Sequence, residues 1–127
     1  AIRLVSARTL GLGSPAMAFD PSYARPHRAS VFFERRELTR LLSLYGRMVA
    51  AGEWRDYAID GLADACVFSV YRRTSEAPLY RIEKRPALAA RQGAWAVLGQ
   101  GEMILRRGHD LEQVLRFFDR GRFKVVD

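Results

Sequence analysis

The sequence predicts an α+β domain, with an antiparallel sheet of about five strands and two helices, about 35–51 and 110–120, packed on it. Three observations carry that expectation. The run from Leu38 to Asp60, LTRLLSLYGRMVAAGEWRDYAID, holds an amphipathic helix, its glycine stop and the start of a strand. From Trp54 onward the apolar pattern changes from period 3.6 to period 2 and is punctuated by turn residues. A second amphipathic run, Leu111, Val114, Leu115 and Phe118, then closes the order helix, strands, helix.

Residues 1–29 read as an irregular basic arm preceding a single α+β domain over 30–127. Arg3, Arg8, Arg25 and Arg28 stand against one acid, Asp20, while Gly11, Gly13, Pro15, Pro21 and Pro26 interrupt any regular pattern. The same glycines and Pro15 break the apolar stretch that a signal peptide ending near Ala16-Met17-Ala18 needs. A short strand is expected at Ser30–Phe33. The first helix then has Glu34 as N-cap, Glu37 at the capping-box position and a stripe of Leu38, Leu41, Leu42, Tyr45, Met48 and Val49. Gly52 supplies a left-handed stop, and Gly46, which costs about 1 kcal/mol inside a helix, implies a close-packed neighbour.

Strands are expected at about 54–60, 64–73, 79–84, 94–98 and 102–106, with turns at Gly61 and Gly99-Gln100-Gly101 and a short helical turn after Pro86. Asp110 and Gln113 give the closing helix a capping pattern; Gly121 ends it, and Phe123–Val126 is expected as an edge strand.

At 127 residues the chain forms a core without staples, and its one cysteine, Cys66, lies in the apolar run ACVFSVY as a small buried hydrophobe. A lone cysteine suits a reducing compartment, and no apolar run reaches the ~20 residues of a membrane span. A soluble cytoplasmic protein is expected.

Enzymatic signatures are absent from the sequence: no phosphate-binding glycine loop ending in Lys-Ser/Thr, no H-E-x-x-H, no paired C-x-x-C and no G-x-S-x-G. Only two histidines, His27 and His109, are present, too few for a multi-histidine metal site. No cofactor, metal or catalytic residue is therefore expected. His109, flanked by Asp110 and Arg107, is the one general-base candidate, against the simpler reading that Asp110 caps the helix. Glu53, Asp56, Asp60 and Asp64 gather around the first hairpin, where Asp56 and Asp60 share a strand face with Trp54 and Ala58; a solvated face with ion pairs explains them without a metal.

The formal charge of +7 rests on arginine, which outnumbers lysine 19 to two. Arginine's planar fork favours carboxylate and phosphate partners. Arg36, Arg40 and Arg47 recur on the first helix away from its apolar stripe, and Arg72-Arg73, Lys84-Arg85, Arg106-Arg107 and the looser Arg120 with Arg122 stand at strand or helix ends. The first nine of these are the candidate binding residues. They point to a non-catalytic module that docks a protein partner, with nucleic acid as the alternative ligand of the same arginines. The structural alternative is a solvated face whose arginines pair with Glu37, Glu83 and Glu102. Tyr71, Tyr80 and Trp95 lie beside arginines as base-stacking platforms would, but half-buried strand aromatics more often belong to the core.

Four segments carry a family resemblance: Arg35-Arg36-Glu37-Leu38, the run from Leu44 to Tyr57 (LYGRMVAAGEWRDY), Leu79-Tyr80-Arg81-Ile82-Glu83-Lys84, and Arg107-Gly108-His109-Asp110-Leu111. Over about residues 31–126 the chain resembles a family known only as domain of unknown function 2794, short bacterial proteins mostly from alphaproteobacteria. Glu34 departs from the aspartate such proteins tend to show. The resemblance implies no activity, cofactor or site.

Overall fold

The computed structural model describes residues 2–4, 30–73 and 77–126. Its elements are β1 (Ile2–Leu4), α1 (Arg35–Ala50), β2 (Asp56–Gly61), β3 (Cys66–Tyr71), β4 (Tyr80–Lys84), a 3₁₀ turn at Pro86–Leu88, β5 (Trp95–Leu98), a second 3₁₀ turn at Gln100–Glu102, β6 (Ile104–Gly108) and α2 (Leu111–Val126). The strands form one antiparallel sheet in chain order, β1 to β6, so the expected α+β architecture and its two helices are present.

The start and stop of α1 follow from its sequence. The Glu34 N–H donates to Glu37 Oε1 at 2.7 Å, and the Leu38 N–H donates to the Glu34 carbonyl at 2.9 Å. At the other end Gly52 takes φ +79°, the left-handed turn that a β-carbon disfavours. Alternation then selects one sheet face for the helices. Three rows line it: Tyr57, Val70 and Tyr80; Ile59, Phe68, Ile82, Val97 and Arg106; Gly61, Cys66, Lys84, Trp95 and Gly108. Leu41, Leu44 and Met48 of α1 and Leu111, Val114, Leu115 and Phe118 of α2 join these rows in a single core. Trp54 is its hinge, meeting Phe118 edge-on at 5.2 Å and Tyr45 at 6.4 Å. Phe68, Ile82 and Val97 are wholly buried in the middle row, each removal from water contributing about 2 kcal/mol.

Five expectations are corrected. Ile2–Leu4, expected within an irregular arm, is strand β1 paired to β2; three residues are too few for alternation to be visible, and the open edge of β2 supplies the partner. Residues 5–29 of that arm, with the signal-peptide reading, lie outside the described residues. Ser30–Phe33 is not a strand. The Val31 N–H bonds the Leu62 carbonyl at 2.8 Å while Phe33 stacks on Trp95 at 5.9 Å, so the segment crosses the strand ends from β2 to β5 rather than running beside any of them.

The closing helix continues through Gly121 to Val126, replacing the expected edge strand at Phe123–Val126, because one glycine weakens a helix without terminating it. Gly46 has no close neighbour: nothing lies within 4 Å of where its β-carbon would stand. Asp56 and Ala58 are buried rather than on a wet face, and Trp54, two residues before β2, turns into the core. Asp56 accepts the Tyr57 N–H at 2.9 Å. Burial first, and this carboxylate second, push the Tyr57 phenol above its ordinary pKa.

Candidate functional site

The nine basic candidates divide by what their charged ends touch. On α1, Arg40 Nε bonds Glu112 of α2, and Arg47 Nη2 bonds Asp119 at 3.2 Å. Both partners advance by seven residues along both helices, so α1 and α2 lie side by side in the same direction, joined by two ionic rungs two turns apart. Arg36 stands 3.7 Å from Glu34 with both side chains largely exposed, a weak pair. The expected ridge turned away from the core is thus largely a helix–helix seam.

Lys84 lies under that seam. Its Nζ bonds Glu37 Oε1 at 2.7 Å and the Phe32 carbonyl at 3.1 Å, and it stands 5.9 Å from the centre of the Trp95 ring. With Lys84 at 14% and Glu37 at 15% exposure, both ends of this pair are withdrawn from solvent, and it fastens the crossing segment and α1 to β4. Arg36, Glu37, Arg40, Trp95, Asp110, Leu111 and Glu112 line a cleft of about 400 Å³ here, in which cations and carboxylates are mixed. Arg85 forks onto Glu83 at 3.2 and 3.1 Å and reaches Asp64 at 3.0 Å; the Glu83 hydrogen bond is the main cause of its raised pKa. Arg81, outside the candidate set, pairs with Glu102 at 3.1 Å. Glu37, Glu83 and Glu102 are therefore all engaged by cations.

Arg72 and Arg73 are exposed beyond β3. Arg106 and Arg107 differ again. Arg106 Nη1 donates to the Gln113 carbonyl of α2 and Arg107 Nη1 to the Gly93 carbonyl, each at 3.1 Å, with no carboxylate partner among the described residues. Gly93 holds φ +107°, and a β-carbon there would collide with the Gly108 carbonyl, so β6 and the turn before β5 approach as closely as backbones can.

Sequence reasoning missed what precedes these two arginines. Met103, Ile104 and Leu105 are 65%, 53% and 38% exposed, most of the large apolar exposure among the described residues. They begin β6, the last strand of the sheet, whose outer side pairs with no strand among the described residues. Three consecutive apolar residues in an alternating region were the available signal, since one sheet face cannot take all three.

The remaining chemistry is restrained. His109 is exposed, with Nδ1 3.1 Å from the Ala89 carbonyl. Cys66 is fully buried, and burial pushes its thiol up to about 12. No group of three His, Cys, Asp or Glu side chains suited to a metal forms among the described residues. Trp95 is buried and Tyr80 packs on Phe117 and Phe118, which places both in the core. No helix among the described residues is long and apolar enough to cross a membrane.

No curated protein and no solved structure matches the chain. A family model described as Protein of unknown function (DUF2794) matches residues 31–115, from the segment that crosses the strand ends to the buried Leu115 of α2. That match covers most of the chain, and the protein belongs to this family.

Proposed function

We propose that the domain is a non-catalytic docking module for another protein, and that it docks through the β6 edge rather than through the helix arginines. One observation carries the reading: exposed Met103, Ile104 and Leu105 run into two arginines whose partners among the described residues are main-chain carbonyls. Surfaces that combine an apolar patch with uncompensated charge are typical of protein interfaces. The non-catalytic part is supported by the tethering of His109 to a backbone carbonyl and by a thiol that stays protonated near neutral pH. A buried free cysteine also fits a cytoplasmic setting.

Nucleic-acid binding by the same arginines is less well supported, because Arg40, Arg47, Lys84 and Arg85 already engage carboxylates. An active site near His109 is the most distant reading. The test is site-specific photo-crosslinking in the native cell, with the reactive group at Ile104 or at Ser43, which is exposed on α1. The reading expects a discrete protein adduct from position 104 and none from position 43. No adduct from 104, or an adduct with nucleic acid, removes it.

A further inference from the structure

Resting on the docking reading above, we infer that the partner docks as an extended segment that adds antiparallel to β6 as a further strand, with acidic residues leading and apolar residues following. Both the mode and the order come from β6. Its outer edge pairs with no strand among the described residues and so offers backbone groups, the seat used in strand addition. Along the strand the apolar residues Ile104 and Leu105 come first and the arginines 106 and 107 second. An antiparallel partner therefore meets Arg107 and Arg106 with its earlier residues and Leu105 and Ile104 with its later ones.

Charge selects the occupant. The chain carries +7, and the two β6 guanidiniums lack carboxylates among the described residues, so acids opposite them gain attraction that neutral residues do not. The same charge disfavours a second copy of this chain, which would bring two +7 molecules and four β6 arginines together at one seam. At the apolar end a cleft of about 270 Å³, lined by Leu79, Tyr80, Gly99, Gln100, Met103 and Leu105, takes one large apolar side chain. The register shift between Val97 and Leu98 opposite β6 bends the strand near Leu105. The paired stretch is consequently short, and the acid-then-apolar order, rather than a long ladder, provides the discrimination.

Binding of the intact protein to four synthetic peptides tests this: Glu-Glu-Val-Ile-Leu, the reversed Leu-Ile-Val-Glu-Glu, and two forms of the first peptide, each N-methylated on one of its two alternate sets of amides. The acid-first peptide is expected to bind at least tenfold more tightly than the reversed one. One N-methylated set should lose that affinity and the other keep it, a pattern that non-specific charge attraction does not produce. The variants Ile104→Lys and Arg107→Ala should each weaken binding at least fivefold, with circular dichroism showing that they remain folded. Equal binding of both orders, or indifference to N-methylation, overturns strand addition. Preference for a single-stranded oligonucleotide over every peptide, or a dimer in sedimentation, overturns it as well. If no peptide binds while position 104 still crosslinks to a protein, the strand-addition inference fails and the docking reading stands; if both fail, neither survives.

Discussion

The α1–α2 seam and the β6 edge use the same side chain in opposite surroundings. At the seam Arg40 and Arg47 meet Glu112 and Asp119, and the row beneath holds Lys84 against Glu37. At the edge Arg106 and Arg107 meet carbonyls and, among the described residues, no carboxylate, and they follow three exposed apolar residues. A guanidinium facing a carboxylate is electrostatically satisfied and offers a partner little, whereas one facing a carbonyl keeps its full charge available. The contrast teaches that the number of arginines on a surface says less about docking than the number still lacking an anion.

The largest effect belongs to a charge held out of water by its ion pair. Lys84→Ala should cost about 3 kcal/mol in denaturant unfolding, because it strands the Glu37 carboxylate in a site of low exposure. A cost no greater than that of a surface substitution would show that the seam is not the structural region described. Cys66, in the same strand row, gives the next effect. Its folded-state thiol is raised to about 12, above the ordinary ~8.5 of an unfolded chain, so its contribution is complete below about pH 8.5 and declines as pH rises toward 12. Stability should fall by about 2 kcal/mol between pH 8.5 and 10, and Cys66→Ala should flatten that slope.

The two rungs come third. Double-mutant cycles on Arg40 with Glu112 and Arg47 with Asp119 should return about 0.5 kcal/mol each, shrinking in high salt, as half-exposed pairs do. Ile104→Lys comes last, with a change in unfolding free energy within about 0.5 kcal/mol, since its side chain lies outside the core. A large loss there would mean that β6 is structural and not a docking edge.

Local signals made most of the fold legible. The α1 stripe, the Gly52 stop and the alternation of β2 to β5 are written within a few residues of where they act. What escaped depended on distant partners. Ser30–Phe33 has strand composition, but its place is set by Leu62, Lys84 and Trp95, all more than 30 positions on. Gly121 is a plausible stop by itself, yet α2 passes through it. The candidate site was less legible still, because a sequence shows charges without their counter-charges. Arg40 and Arg107 look alike until α2 brings Glu112 to one and the turn before β5 brings a carbonyl to the other. The matched seven-residue spacing of Arg40 with Arg47 and Glu112 with Asp119 was present in the sequence, but it means something only once the helices are known to run side by side.

Amide chemical-shift mapping of the intact protein with the acid-first peptide tests the division between seam and edge most directly. The largest perturbations are expected on residues 103–108, with Arg36, Arg40 and Arg47 barely moving. Perturbations centred on those α1 arginines, with β6 silent, would contradict it.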